Sequence, residues 1–476
     1  MENKTLTQKL SDYAQGPVRS LHMPGHKRRT LHSPQLPWEL DITEIDGFDD
    51  LHDPQEVLAD GMKRAAALWG SSFARFLVNG TTGGILAALH AVLPRGSTVL
   101  VTRNCHKSIY HALELLDAVP VYLQPSTDFE SGLLTSLSVQ AVEEALDKHP
   151  EIRALMLVCP TYDGVLCDLS SIVSICHKRR IPVIVDGAHG AHLGFGTFPA
   201  GAVSAGCDIV VHSLHKTLPS LTQTALLQAQ GDLIDFDRLH RSLGIFQSSS
   251  PSYPLMASLD GCVDLLIREG DLHFARWTEA LARFDQAILP LKHLKVFCHG
   301  GDKPENHPGL FGYDPSKIVI STRGTSLTGP ALTALLRQRH FEPEMETPTS
   351  TTAMTGLGTT VEDLLALADA LLEIDGTLVP AQASASFPAS TLPHRVLPAG
   401  QALEQDSHPL PLSQAVGRIA AEYLWAFPPG IPLIVPGEEI GPDFPILCAA
   451  YEASGVPLKH TAHTPADTIQ VCKEAI

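Results

Sequence analysis

Asp208-Ile-Val-Val-His-Ser-Leu-His-Lys216-Thr-Leu-Pro219 opens on a short apolar run and closes on a lysine at the edge of a turn. Upstream, Ile181-Pro-Val-Ile-Val-Asp186-Gly-Ala-His189 repeats the pattern but ends on an acid. Apolar runs this short and β-branched suit strands buried on both faces, as in a parallel sheet. Working outward, Phe76–Val78, Thr98–Thr102, Val119–Leu123, Ala154–Val158 and Thr224–Leu227 read as further strands. Between them, Gly83–Leu93 places Ile85, Leu89, Val92 and Leu93 on one helical face, and Val139–Asp147 follows the same period. The expectation is an α/β fold: a mostly parallel seven-stranded sheet flanked by helices, with a smaller α+β C-terminal part.

That sheet does not account for the whole chain. A long helical stretch is expected at about 255–285, a strand at Pro315–Thr322, and a helix at Leu327–Arg337 with proline in its first turn. Gly/Pro/Ser/Ala-rich sequence over 376–398 reads as a linker, and a helix is expected around Ser413–Tyr423. The implied division is an N-terminal arm (1–45), a large domain (46–290), a small α+β domain (291–375), the linker (376–398) and a C-terminal domain (399–476). A chain of 476 residues exceeds what one core supports. Its net charge of −18, from 52 acidic and 34 basic residues, argues against nucleic acid as a partner. Nine cysteines without a Cys-x-x-Cys pair suggest reduced thiols. The opening Met1–Leu10 lacks the apolar core of a signal peptide, and no run approaches the roughly 20 residues of a membrane span. A cytoplasmic location is expected.

The strand-end residues suggest chemistry. A lysine there, its pKa lowered by burial, can form a Schiff base with an aldehyde. An acid on the neighbouring strand can keep a pyridine nitrogen protonated. Lys216 and Asp186 together point to pyridoxal 5'-phosphate (PLP). Asn79-Gly80-Thr81-Thr82-Gly83-Gly84, between a strand and a helix, offers N–H groups and hydroxyls for the phosphate, though it equally suits a Gly-rich turn with a threonine cap. His106, in Asn104-Cys-His-Lys-Ser108, could lie against the ring; Ser213 could reach the phosphate and His215 the substrate or ring. Asp186, His189, His192, His212 and His215 are metal-type side chains, but His-x-x-His lacks the helical spacing and glutamate of His-Glu-x-x-His, so no metal is assigned.

These segments, taken in order, resemble the fold-type I ornithine/lysine/arginine decarboxylases, in the short bacterial form without a receiver-like N-terminal domain. The likeness runs through His22–Lys27, Asp41–His52, Phe76–Thr82, Arg103–Ser108, Pro160-Thr-Tyr-Asp-Gly164, Asp186–His189, His212–Lys216, Gln247–Asp260 and Pro428–Glu438. The resemblance implies a fold-type I PLP-dependent architecture, with Lys216 carrying the cofactor, Asp186 on its ring nitrogen and His106 stacked on the ring. It places Gly80, Thr81, Thr82 and Ser213 at the phosphate, His189 near the ring, and His215 beside the lysine. It also implies that Ser248–Ser250 reaches a neighbouring subunit's cofactor in a homodimer or larger even-numbered assembly. Leu214 departs from the pattern, standing where a small hydroxyl residue is often found. The sequence after Glu344-Met-Glu346 also differs among relatives.

The reaction so implied is decarboxylation of a basic amino acid, arginine or lysine and possibly ornithine, to the corresponding amine and carbon dioxide. Lys216 or His215 would return the proton, general acid catalysis being worth roughly 10²–10⁴-fold. The acidic stretch Glu44–Asp50 and Glu438 are candidates for the substrate's distal cation. The rival readings are another fold-type I reaction such as transamination, with Arg418 gripping the α-carboxylate, and a non-catalytic PLP-binding regulator.

Overall fold

The computed structural model describes residues 16–21, 25, 27, 44, 48–128, 131–380, 392–426, 431–462, 465 and 467–473. The N-terminal Met1–Leu10, most of the His22–Lys27 motif, Asp41–Thr43, part of the expected linker and Pro428–Gly430 lie outside them.

Its central sheet has seven strands: β1 Phe73–Leu77, β2 Thr98–Thr102, β3 Val119–Leu123, β4 Ile152–Val158, β5 Val183–Asp186, β6 Ile209–His212 and β7 Ala225–Ala229. Their spatial order is β1-β7-β6-β5-β4-β2-β3. The run from β3 to β6 is parallel, and β7 is antiparallel to both of its neighbours. Two reversals cancel, so β1 points the same way as β2–β6. The loops after β1, β2, β5 and β6, which carry the expected chemistry, therefore leave the same rim. Side chains alternate between faces: Leu155 and Leu157 join one core, Ala154 and Met156 the other. Both faces are covered, which is why these strands read as unbroken apolar runs.

Helix α1, Gly80–Val92, follows β1. A Cβ on Gly84 would lie 2.5 Å from Leu77 Cδ1 and 2.6 Å from Val211 Cγ1. Glycine there lets the helix settle onto β1 and β6, bringing its N-terminus to the rim. Helix α2, Lys107–Leu115, follows β2 with His106 as its N-cap. The long helix α3 spans Tyr253–Ala287.

Beyond it, β8 Lys295–Val296, β9 Lys317–Ser321, β10 Met345–Thr347 and β11 Ser350–Met354 form an antiparallel sheet in the order β8-β9-β11-β10. Helices α4, Gly329–Gln338, and α5, Val361–Asp375, accompany it. The α5 N-terminus is closed by a reciprocal box between Thr360 and Asp363. An early strand, Arg19–Leu21, pairs in parallel with Phe341–Pro343 of this unit.

In the C-terminal part, β12 Ser407–Pro411 pairs with β16 Thr468–Cys472, and β13 Leu424–Ala426 lies between β14 Ile431–Ile434 and β15 Leu458–His460. The helix expected around Ser413–Tyr423 is not there. Leu412–Gln414 makes one 3₁₀ turn, Gly417 takes φ +78°, and Ile419 and Ala420 bridge to Glu439 and Val471. Apolar residues at helical spacing are used instead to pair with extended neighbours on two sides.

Candidate active site

The amine of Lys216 lies just past β6, in the short helical turn Leu214–Thr217. It is 2.9 Å from His189 Nε2 and 5.9 Å from the centre of the Tyr162 ring. Burial pushes it down to about 8, with Lys317 acting the same way and Asp186 and Glu344 opposing. Asp186 ends β5, whose register sets it beside Val211 of β6. It is 3% exposed. Among the described residues its carboxylate accepts one hydrogen bond, from the Ala188 N–H at 3.1 Å. Burial raises its pKa while the Lys216 charge lowers it.

Two imidazoles flank the lysine. His189 packs against Tyr162 with ring centres 4.4 Å apart. Burial and the Lys216 charge hold it well below its usual range, and among the described residues its buried Nδ1 has no hydrogen-bond partner. His106 is brought down to about 3 by burial and then by Lys216. It is a neutral ring, its Nδ1 accepting the Ser108 N–H at 3.2 Å. The Nδ1 of His215 donates to the Thr224 carbonyl oxygen at 2.8 Å.

On the far side of β6, the hydroxyls of Thr81 and Ser213 meet at 2.5 Å. The N-cap of α1, Asn79, makes no capping bond with its side chain, whose amide donates instead to Phe246 O at 3.2 Å. Gly80 takes φ +67° and donates its own N–H to Gln223 O at 2.8 Å. The first-turn N–H groups of α1 thus lack a side-chain cap, the condition that favours an anion at a helix start. Thr82, by contrast, is exposed.

The site includes a residue that the sequence reading passed over. Glu344, just before β10, accepts a hydrogen bond from the Tyr162 hydroxyl at 2.5 Å. It attracts both Lys216 and the buried Lys27, which burial brings to about 7. Three other candidates fall elsewhere. Glu438 is 1% exposed and both of its oxygens are taken by Arg103. Asp49 accepts the N–H groups of Gln55, Glu56 and Leu58 at the start of helix Val57–Trp69, and Glu44 is exposed. Arg418 donates to the Cys472 and Lys473 carbonyls. Ser248–Ser250 is exposed. His192 and His212 bond Asp314 and Gln228 rather than converging with His189.

This chemistry fits PLP: an uncapped helix start with two hydroxyls for a phosphate, a buried acid for a ring nitrogen, a neutral imidazole for a ring face and a lysine near neutrality. The pattern of the Orn/Lys/Arg decarboxylase major domain matches residues 4–298, and that of the family's C-terminal domain matches 387–449. The chain belongs to the Orn/Lys/Arg decarboxylase family. It is 32% identical over 466 residues to an arginine decarboxylase of Bacillus subtilis (strain 168), across 95% of this chain and 94% of that protein. Its fold is similar to that of the E. coli constitutive lysine decarboxylase, with a TM-score of 0.75 at 19% identity, covering 98% of this chain and 78% of that one. Lysine decarboxylase A from Pseudomonas aeruginosa gives 0.76 at 21% identity, over 90% and 73%. With this family membership, the chain is a PLP-dependent amino-acid decarboxylase.

Proposed function

We propose that this enzyme removes the α-carboxylate of arginine, giving agmatine and carbon dioxide. Glu344 carries the reading. It is a half-buried carboxylate that accepts the Tyr162 hydroxyl and attracts the charge of Lys216, and a guanidinium meets a carboxylate through two parallel hydrogen bonds. The likeness to an arginine decarboxylase along nearly the whole chain supports the same substrate.

PLP, held by Lys216 with its phosphate at Gly80, Thr81, Thr82 and Ser213, would supply the electron sink that accepts the pair left by carbon dioxide. The chain's own residues do the rest. Asp186 would stand beside the ring nitrogen, where its carboxylate would favour the protonated ring. His106 stays neutral and offers an uncharged face to the ring. His189 accepts a hydrogen bond from Lys216 Nζ and so aims the amine. Lys216, with its pKa near 8, can take up and return a proton at the α-carbon, and His215 lines the same turn. Glu344 and Tyr162 would hold the far end of the substrate and so orient its α-carbon.

The exposed Ser248–Ser250 segment and the rim position of the site suit a homodimer with shared active sites. No helix among the described residues is long and apolar enough to cross a membrane, which suits the proposed cytoplasmic setting. The deciding experiment incubates purified, PLP-loaded protein separately with arginine, lysine and ornithine and identifies products by mass. Agmatine as the dominant product is expected. Cadaverine or putrescine in its place would overturn the choice of substrate, and a keto acid would favour transamination.

A further inference from the structure

Arg103 is the first residue after β2, and its side chain leaves the sheet for the C-terminal part of the chain. Its guanidinium meets Glu438 as a fork, Nη1 to Oε1 at 2.7 Å and Nη2 to Oε2 at 2.9 Å. The Tyr122 ring lies 4.9 Å from the guanidinium carbon. Glu438 is fixed in turn. Its Oε2 accepts the Val435 N–H at 2.8 Å, and the preceding Gly437 takes φ +86° where a Cβ would strike Leu397 O at 2.3 Å. The side chains of this pair are 8% and 1% exposed. Such a pair is weak evidence for stability, because apolar replacements of similar volume often do as well. What it fixes in place matters more.

Between Arg103 and helix α2 lie Asn104, Cys105 and His106. The helix side of this turn is also gripped by the C-terminal part. Tyr423 and Trp425 stack at 4.9 Å, and Trp425 meets Tyr110 of α2 edge-on at 5.7 Å. The Tyr110 hydroxyl donates back to the Arg103 carbonyl at 2.6 Å. Within the turn, buried Cys105 has its Sγ 3.2 Å from the Thr102 hydroxyl at the end of β2. The turn bearing His106 is therefore anchored at both ends by one distant segment of the chain.

We propose that Arg103 and Glu438 are positioning residues through which the C-terminal part sets the His106 ring against the cofactor. The inference rests on the reading of the site as a PLP site with His106 on the ring face.

The test compares the wild type with Arg103→Lys, which keeps the charge and loses the fork, Glu438→Gln, and the double variant Arg103→Met/Glu438→Leu. Melting temperature, PLP dissociation constant and the visible circular dichroism of bound PLP are read for each. The expected result is PLP binding weakened at least about tenfold in all three, with altered dichroism. In the double variant this persists although its melting temperature returns to that of the wild type. A double variant with both wild-type melting and wild-type PLP binding would reduce the pair to a structural one and overturn the proposal. Should the double variant not fold, Arg103→Lys decides: wild-type affinity and dichroism overturn the proposal, and weakened binding with little change in melting upholds it. A wild-type protein that takes up no PLP overturns the reading of the site, and this inference with it.

Discussion

Replacing Glu344 with glutamine removes one charge and almost no volume. The amide oxygen can still accept the Tyr162 hydroxyl now bonded to the carboxylate at 2.5 Å, so the local packing survives. What is lost is the charge assistance to a guanidinium. Hydrogen bonds to charged groups contribute about 1.5–3 kcal/mol, and each 1.4 kcal/mol is about tenfold. Glu344 is only half-buried, so water screens part of this. The lower half of the range applies, a fall of about 10–40-fold in kcat/KM for arginine. The assay is carbon dioxide release at sub-saturating arginine, with PLP content matched by absorbance. A second signature follows from the same charge. Glu344 helps to keep the proton on Lys216. Without it the neutral amine appears at lower pH, and the pH midpoint for PLP uptake moves down. A variant within about twofold of the wild type in kcat/KM would refute the placement of the substrate's distal end.

Lys216→Ala should abolish both borohydride trapping of PLP and carbon dioxide release, and peptide mapping of the trapped wild type should mark position 216 alone. The double variant Thr81→Ala/Ser213→Ala, removing the hydroxyls that meet at the start of α1, should weaken PLP binding about tenfold while kcat at saturating PLP changes little. The rate of PLP uptake by the cofactor-free protein should rise with pH about a midpoint near 8, the value to which burial lowers Lys216. The same lowering makes a stability signature. Between about 8 and the ordinary lysine value of about 10.4 the unfolded chain holds the proton that the folded one has released. The urea midpoint of cofactor-free wild type, relative to Lys216→Met, should therefore climb with pH across that window and stay level below it.

The large sheet was readable because each strand is buried on both faces. β2 and β3 match their apolar runs residue for residue, Thr98–Thr102 and Val119–Leu123. The reversal of β7 left no mark on its sequence, since an antiparallel strand inside such a sheet needs the same side chains as a parallel one. Lys216, Asp186, His106, Thr81 and Ser213 were legible as strand-end residues of fixed chemical type. Glu344 was not, because its partner Tyr162 lies far off in the chain and only the fold brings the two together. Glu438 misled for the opposite reason. A glutamate in a Gly/Pro-rich loop reads as a free charge, and nothing local announces that Arg103 buries it. The Ser413–Tyr423 helix failed because alanines and isoleucine at helical spacing also serve short extended pairings around Gly417.

The strand Arg19–Leu21 lies on Phe341–Pro343, with the Arg19 N–H donating to the His340 carbonyl at 2.7 Å, and a few residues on, Gly25 N–H donates to the His215 carbonyl. Gly25 in turn accepts from Gly358, and Leu357 donates to Thr217 at 2.9 Å. Residues ahead of the large sheet thus touch both the strand Phe341–Pro343 of the smaller unit and the turn that carries Lys216. Removing residues 1–21 would therefore take from Phe341–Pro343 the parallel partner with which it pairs.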